Sequence, residues 1–175
     1  MLKIYKILSV LIDYPNDELL LNLEQVKSAL DEPQCVNNQE RKILREHIEW
    51  MQNQQALELQ GLYIQTFDMA AEHALYLTHH LLGDDRERGP ALVDLQEFYK
   101  NTGWQAVDNE LPDYLPMILE YASNLDEMGA RMFLREAVGA ISILAANLEK
   151  TGSPYAKLMR LLENRASILD AAANS

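Results

Sequence analysis

Hydrophobic residues recur along this chain at every third or fourth position, the spacing that places them on one face of an α-helix. No stretch alternates apolar and polar residues in the way that a half-buried strand does. In the first half, the apolar stripes of successive predicted helices are Leu8, Leu11 and Ile12; Leu19, Leu23, Val26 and Leu30; Ile43, Leu44, Ile48 and Met51; Leu59, Leu62, Tyr63 and Phe67; and the apolar segment Leu75–Leu82. This pattern predicts an all-α protein.

The second half of the chain continues the same helical period. Its predicted stripes are Leu92, Leu95, Phe98 and Tyr99; Leu115, Ile118, Leu119 and Ala122; Val138, Ile141, Leu144, Ala145 and Leu148; and Leu158, Leu161, Leu162 and Leu169. The sequence contains neither a low-complexity linker nor a clear internal repeat. We therefore predict that residues 1–175 form a single all-helical domain.

Residues with strong positional preferences predict where several helices begin and end. The side chain of Asn16 is suited to cap the second helix, and Gly103 stands where a helix C-terminal glycine belongs. Pro116 has no N–H for the carbonyl four residues back, so its helix should begin within the three residues before it or at Pro116 itself. Ser153 and Pro154 predict the start of the last helix.

The charge balance restricts the kinds of partner that this protein can bind. The 175 residues include 15 basic and 27 acidic side chains, which gives a net charge of −12. Nucleic-acid binding depends on Lys and Arg that neutralise phosphates, so this balance argues against a nucleic-acid partner. An acidic surface can attract a cationic partner, although acidic charge also serves solubility alone.

Cysteine content and hydrophobic runs indicate the compartment. Cys35 is the only cysteine, which excludes an intrachain disulfide and a cysteine-rich zinc site. The apolar run near the N-terminus is interrupted at Lys6 and lacks the cleavage pattern of a signal peptide. No run approaches the roughly 20 apolar residues of a membrane span. We therefore predict a cytoplasmic protein that does not insert directly in a membrane.

Histidines are the first candidates for chemistry, but their spacing does not favour a metal site. His79 and His80 are adjacent and would point about 100° apart on a helix, so they cannot easily chelate one ion. Neither they nor His73 follow a Glu at the third preceding position, as di-iron bundles require. Packing or surface roles are favoured. The chain also lacks a nucleophile elbow, a P-loop and a dinucleotide fingerprint, so nothing points to an enzyme.

The most informative stretch is Gly83–Tyr121, which contains two charged segments, each before a predicted helix. The first segment reads Asp-Asp-Arg-Glu-Arg-Gly and ends at Gly89. It could be a solvated turn whose acidic side chains favour the positive helix N-terminus. Alternatively, Arg86 and Arg88 could fix the turn by salt bridges or bind an anionic group.

The second segment places Asp108, Glu110 and Asp113 beside the rigid Pro112. Because proline restricts the backbone, these carboxylates could form a fixed array that accepts hydrogen bonds from Arg or Lys of a partner. The alternative is a capping loop in which Asp113 serves the helix that follows. The neighbouring aromatic and methionine side chains could be core residues or line an apolar groove for an amphipathic helix; they are Phe98, Tyr99, Trp104, Tyr114, Met117 and Tyr121.

Together these motifs resemble those of the NarJ-type nitrate reductase assembly chaperones, within the TorD/DmsD group of redox-enzyme maturation proteins. The resemblance covers most of the chain and is densest in Phe67-Asp68, His80, Gly83, Arg86-Glu87-Arg88-Gly89, Ala91-Leu92-Val93-Asp94-Leu95, Glu110-Leu111-Pro112-Asp113-Tyr114-Leu115-Pro116 and Leu119-Glu120-Tyr121. It implies a TorD-like helical bundle that acts as a cytoplasmic chaperone.

Such chaperones bind the N-terminal, twin-arginine-like segment of a molybdoenzyme catalytic subunit. The resemblance implies that the client here is the apo catalytic (alpha) subunit of respiratory nitrate reductase. The chaperone keeps that subunit competent while bis-molybdopterin guanine dinucleotide is inserted and opposes premature membrane association, without stably binding a cofactor itself. The resemblance also implies a non-catalytic protein, and we expect a monomer or a dimer.

The resemblance also implies a set of site residues. The Glu-x-Pro-Asp-His loop of the group forms part of the client-peptide site, and Glu110, Pro112 and Asp113 match it, with Tyr114 in place of the histidine. We expect Glu110 and Asp113 to engage cationic client residues and Pro112 to shape the loop. We expect Tyr114 and Tyr121 to contact the hydrophobic face of the client.

The Arg-x-Arg-Gly motif adds Arg86, Arg88 and Gly89 as residues that organise the loop or bind a ligand. Familiar NarJ-type members carry a longer, charged C-terminal tail, so we expect the function of that tail to be missing from these 175 residues. The alternatives are a chaperone for another molybdoenzyme, a generic helical adaptor, or a small metal-dependent or nucleotide-hydrolysing enzyme.

Overall fold

The structure, a computed structural model, describes residues 3–33, 36–106 and 109–173, with side chains as far as position 167. Its α-helices are α1 Ile4–Ile12, α2 Asp17–Leu21, α3 Leu23–Ala29, α4 Asn38–Gln52, α5 Ala56–Tyr63, α6 Leu77–Leu82, α7 Arg88–Asn101, α8 Leu115–Ala122, α9 Glu127–Arg135, α10 Val138–Lys150 and α11 Ala156–Ala173. A π-helix, Ile64–Asp68, and a 3₁₀ turn, Ala71–His73, lie between α5 and α6. The prediction of an all-α fold is confirmed.

The core forms where α1 and α8 pack together and where α10 packs on α11. Helix α1 is buried around most of its circumference, because seven of its nine residues face the core. The buried Ser9 hydroxyl donates to the Pro116 carbonyl oxygen at 2.7 Å. At its N-terminal end, Lys3 donates to the Leu125 carbonyl at 2.7 Å and Lys6 pairs with Glu120 at 2.9 Å. These bonds fix α1 against α8 and the turn that follows α8.

Several predicted helix boundaries agree with the structure. The side chain of Asn16 accepts the Leu19 N–H at 2.8 Å and caps α2. Gly103 has a φ of 80°, in the left-handed region that glycine tolerates, and ends α7 as predicted. Helix α8 begins at Leu115, directly before Pro116. The last helix begins at Ala156, two residues after Pro154.

Two helices predicted as continuous are interrupted in the structure. The second predicted helix is divided between α2 and α3 at Asn22, whose side-chain amide donates to the Glu18 carbonyl oxygen at 2.8 Å. The fourth continues past Tyr63 as the π-helix. There the Thr66 hydroxyl donates to the Leu62 carbonyl at 2.7 Å, so that a side chain shares the acceptor of the helical ladder. Periodicity of apolar residues does not register such local competition.

Helix α9 is absent from the sequence-based prediction. Asp126 caps it by accepting the Gly129 N–H at 2.7 Å, and Glu127 anchors it to the rest of the protein. The carboxylate of Glu127 accepts bonds from Arg165 at 2.6 Å and from Arg131 at 2.7 Å. The exposed Met128 and Met132 make much of its outer face apolar. The prediction of a helix depends on a contrast between an apolar inner face and a polar outer face, and these methionines obscure it.

The predicted stripe on α7 is only partly buried, which corrects the expectation from its spacing. Tyr99 is fully buried, whereas Leu92 and Leu95 are half-buried and Phe98 is 43% exposed. Three other predictions, those on Cys35, on Asp108 and on the Leu169 side chain, fall outside the described residues. None of the described helices combines the length and apolar character needed to cross a bilayer.

Candidate functional site

The candidate loop, residues 109–114, lies along Leu75 and Tyr76, which precede α6, and along the first turn of that helix. Tyr76 and Tyr114 form an isolated antiparallel bridge, and their ring centroids are 5.3 Å apart. Two backbone hydrogen bonds join the segments, from Leu77 N to Asp113 O at 3.2 Å and from Leu115 N to Leu75 O at 2.8 Å. These two bonds fix the backbone at the end of the loop.

Asp113 is a buried residue of this loop, with 1% of its surface exposed. Its Oδ2 accepts the Thr78 N–H at 3.0 Å and the Thr78 hydroxyl at 2.6 Å. Asp113 therefore binds the first turn of α6 across the loop and does not cap α8 through its side chain. Its burial also corrects the expectation of direct contact with client cations, since no ligand can reach the carboxylate in this conformation.

The other oxygen of Asp113, Oδ1, is buried and has no hydrogen-bond partner among the described residues. A half-buried Arg88 lies on the far side of Thr78, and its Nε donates to the Thr78 hydroxyl at 2.9 Å. The Thr78 hydroxyl thus accepts from the guanidinium and donates to the carboxylate. We call Arg88, Thr78 and Asp113 the loop network. It joins the two charged motifs of the sequence through a residue that the sequence analysis did not select.

The remaining residues of the Arg-x-Arg-Gly motif lie outside this network. Arg86 is exposed and forms neither a hydrogen bond nor an ion pair within the described part of the chain. Gly89 is exposed as well, and a Cβ there would meet no atom within 4 Å. The turn before α7 is organised by Asp85, whose Oδ1 accepts the Glu87 N–H at 2.9 Å. Of the three predicted residues, only Arg88 is connected to the candidate loop.

Glu110 is the predicted acidic residue that reaches the surface of the loop. It is half-buried, and its Oε1 accepts the Tyr76 hydroxyl and the Leu111 N–H, each at 2.9 Å. Burial, and then the neighbouring carboxylate, raise the pKa of Tyr76 to about 12, so the phenol keeps its proton near neutral pH. Glu110 also lines two surface grooves, which meet at this side chain.

The smaller of these grooves has a volume of about 210 Å³ and we call it the Asp13 groove. Its lining residues are Ser9, Asp13, Glu110, Tyr114, Pro116, Met117 and Glu120. The Tyr114 hydroxyl donates to Asp13 at 2.9 Å, and burial together with Asp13 raises the pKa of that phenol. Lys6 neutralises part of the Glu120 charge. The sequence analysis did not find Asp13, because it lies 101 residues before Tyr114.

The larger groove has a volume of about 630 Å³ and we call it the Trp104 groove. Its lining residues are Gln96, Lys100, Gly103, Trp104, Gln105, Ala106, Asn109, Glu110 and Pro112. Amide side chains and one aromatic ring dominate this surface. The Tyr99 hydroxyl donates to the Pro112 carbonyl at 2.9 Å, which ties the floor of the groove to α7.

Tyr121 belongs to a small aromatic core behind these grooves. It is 4% exposed, with ring centroids at 5.1 Å from Tyr99, 5.5 Å from Trp104 and 4.8 Å from Phe133. Its burial corrects the expectation that Tyr121 contacts a client directly. Pro112 is buried as well, although it borders the Trp104 groove. Of the aromatic residues proposed for contact, Tyr114 is the one that lines a groove.

The histidines pack against backbone carbonyls. His73 has its Nδ1 2.9 Å from the Thr66 oxygen and its Nε2 3.2 Å from the Asn147 oxygen, and His80 Nε2 lies 2.6 Å from the Ala74 oxygen. Among the residues that the structure describes, no group of three or more potential ligands is arranged for a metal ion. The contacts of His73 and His80 with these carbonyl oxygens tie their rings to the surrounding backbone.

Comparison with known proteins places this arrangement in a family. A family model described as nitrate reductase delta subunit matches residues 32–160. The NarJ protein of Bacillus subtilis strain 168, named as a nitrate reductase molybdenum cofactor assembly chaperone, is 33% identical over 158 residues, which are 90% of this chain and 85% of that protein. NarJ of Escherichia coli strain K12, with the same assembly role in its name, is 31% identical over 156 residues, 89% of this chain and 66% of that protein.

The fold has a counterpart among solved structures. A redox enzyme maturation protein from Archaeoglobus fulgidus superposes with a TM-score of 0.65 over 91% of this chain and 90% of that one. Its sequence identity of 18% makes this a likeness of fold alone. The family match covers most of the chain, and the relatives agree with the resemblance seen in its motifs. The chain therefore belongs to the nitrate reductase delta subunit family and is of the NarJ type.

Proposed function

We propose that this protein is an assembly chaperone that binds the N-terminal segment of the apo catalytic subunit of nitrate reductase. It acts in the cytoplasm, without catalysis and without a stably bound cofactor, and supports insertion of bis-molybdopterin guanine dinucleotide into that subunit. The names of the Bacillus and Escherichia relatives support this client class. The observation that carries the site is Glu110, an acidic residue at the meeting point of two surface grooves.

The electrostatics of the Asp13 groove suit a cationic side chain. Glu110, Asp13 and Glu120 bring three carboxylates to its lining, and Lys6 offsets one of them. The guanidinium of an arginine suits this groove, because its N–H groups form a planar fork that donates hydrogen bonds to carboxylate oxygens. The net charge of −12 adds a long-range attraction for a cationic segment. We propose that a basic residue of the client enters this groove and that its apolar neighbours lie against Tyr114.

The structure suggests different roles for the other predicted site residues. Asp113 and Arg88 hold the loop through Thr78, and Pro112 is fixed by Tyr99. These residues shape the surface that the client meets, although they do not present charge to it. Tyr121 supports the same surface from behind. In this proposal, therefore, Glu110 and Tyr114 contact the client, and Arg88, Pro112, Asp113 and Tyr121 position them.

Titration calorimetry with a synthetic N-terminal peptide of the catalytic subunit from the same organism tests this proposal. We expect a dissociation constant of about 1 μM, which corresponds to a binding free energy of about −8 kcal/mol. The substitution Glu110→Gln should weaken binding about tenfold. A scrambled peptide of equal charge is the control. Equal binding of both peptides, or no binding by folded protein, would contradict the proposal.

The main alternative is a chaperone for a different molybdoenzyme, because the fold is shared with a redox enzyme maturation protein of broader description. Peptides from several reductases, measured under the same conditions, separate the two. Tighter binding of another leader would reassign the client and keep the site. A generic helical adaptor would bind none of these peptides, nor the apoenzyme.

A further inference from the structure

Tyr76 touches the candidate loop in three ways. Its backbone forms the antiparallel bridge to Tyr114, and its ring lies 5.3 Å from the Tyr114 ring. Its hydroxyl donates to Glu110 Oε1 at 2.9 Å, across 34 positions of sequence. The ring and backbone contacts hold the phenol in place, so the hydroxyl reaches Glu110 from a fixed position.

The hydrogen bonds of Glu110 are unevenly distributed between its two oxygens. Oε1 accepts from Tyr76 and from the Leu111 N–H, both at 2.9 Å. Oε2 has no hydrogen-bond partner within the residues described. Two donors on one oxygen fix the plane of the carboxylate and leave the other oxygen for a ligand. A carboxylate held in this way loses less conformational freedom when a cation binds.

We propose that Tyr76 is a positioning residue for client recognition, which holds the Glu110 carboxylate so that Oε2 is available to a cationic side chain of the client. This inference rests on the proposed function of the loop. Tyr76 acts through Glu110 and does not itself bind the client cation. The phenol remains a donor near neutral pH, because burial and the carboxylate disfavour its ionisation.

The variant Tyr76→Phe tests the inference, because it removes the hydroxyl and keeps the ring and the backbone bridge. We expect Y76F to weaken binding of the N-terminal peptide about tenfold, since a hydrogen bond to a charged group is lost from an ordered site. Against a peptide whose arginines are replaced by glutamine, the variant and the wild type should bind alike. If the Tyr76 hydroxyl had a purely structural role, Y76F would weaken the binding of both peptides equally.

A double-mutant cycle with Glu110→Ala separates orientation of the carboxylate from general damage. In the E110A background there is no carboxylate to orient, so Y76F should change affinity by less than about twofold. Tyr5→Phe is the matched control, because it also removes a phenol that donates to a glutamate, Glu127 at 3.3 Å, away from the loop. It should leave peptide affinity unchanged.

The outcomes of this experiment decide between two separate failures. If the wild type binds the peptide but Y76F costs the same in both backgrounds, or costs nothing, Tyr76 is not a positioning residue and the proposed function stands. If the wild type does not bind the peptide while its thermal unfolding shows a folded protein, the proposed function fails and this inference fails with it.

Discussion

The buried network around Arg165 and the loop network around Thr78 both join a guanidinium to a carboxylate, but only the first joins them directly. Arg165 forms two parallel bonds to Glu40, each at 3.0 Å, and a third to Glu127 at 2.6 Å. In the loop network, a threonine hydroxyl stands between the ions, and Oδ1 of Asp113 has no partner among the described residues.

This difference separates two uses of the same chemistry. The Arg165 network links α4, α9 and α11 with its charges paired on both sides, so it contributes to holding the helices together. The loop network shapes a surface and leaves hydrogen-bonding capacity nearby, on Glu110. The proposed contact with a client therefore falls to Glu110, which lies outside the loop network and is only half-buried.

The largest effect should come from breaking the directly paired network. We expect Arg165→Met to lower the free energy of unfolding by about 3–5 kcal/mol, because Glu40 would remain buried without its cation. Chemical denaturation measures this loss. Arg160→Met is the control, because Arg160 pairs with Glu149 and Glu163 at the surface. This substitution should lower the free energy of unfolding by less than about 1 kcal/mol. Similar losses in both variants would contradict the distinction.

His47 provides a pH-dependent test of stability that involves neither network. It packs against Trp50 and Tyr155, and burial lowers its pKa to about 4, although a hydrogen bond with Pro154 opposes the shift. Below pH 6.5 the unfolded chain takes up a proton that the folded protein resists. Stability should therefore fall from pH 6.5 to pH 4, by about 3 kcal/mol in total, and not change from this cause above pH 6.5.

Denaturation of His47→Leu across the same pH range isolates this contribution. The variant should lose a slope of up to about 1.4 kcal/mol per pH unit between pH 6.5 and pH 5, whatever its absolute stability. An unchanged slope would assign the acid sensitivity to other groups, such as the carboxylates of the two networks.

A smaller effect is expected in the loop network. Thr78→Val should lower the free energy of unfolding by about 2 kcal/mol, because Asp113 loses its hydroxyl donor while remaining buried. It should also weaken peptide binding, since the loop loses its link to Arg88. Thr78→Ser keeps the hydroxyl and should restore both quantities. If the serine variant, which keeps the hydroxyl, lost as much as the valine variant, the loss could not be assigned to the hydroxyl bond.

The smallest effect on stability should come from the proposed client contact. Glu110→Gln keeps the acceptor for Tyr76 and removes only the charge, so we expect the free energy of unfolding to change by less than about 0.5 kcal/mol. The same variant should lose about tenfold in peptide affinity. Thermal unfolding and calorimetry on one preparation give both values. A large loss of stability would place Glu110 with the structural carboxylates.

Local sequence pattern predicted most of the helices, because helices such as α4 and α10 bury one face against the core at helical spacing. It missed α9, whose exposed methionines blur that spacing. It found the candidate loop from the proximity of acidic residues to Pro112. It could not assign their burial, because Asp113 is buried by contacts with Thr78, 35 positions away.

The same limit explains why the partners of the site residues were not predicted. Tyr76, Thr78 and Asp13 are neighbours of the loop only in the folded chain, and no local period marks them. The aromatic residues Phe98 and Tyr121 occur at similar helical spacing, yet one is partly exposed and the other is buried. Both rings pack against Phe133 of α9, the helix that the sequence pattern missed.

The packing of α1 on α8 has a consequence for the timing of folding during synthesis. The Asp13 groove closes only when Tyr114 reaches Asp13, and the Ser9 hydroxyl can meet the Pro116 carbonyl only at the same stage. At roughly 5–20 residues per second, a ribosome requires about 5–20 s to add the intervening segment. During that interval the nascent first helix lacks α8, its main packing partner, and the groove does not yet exist.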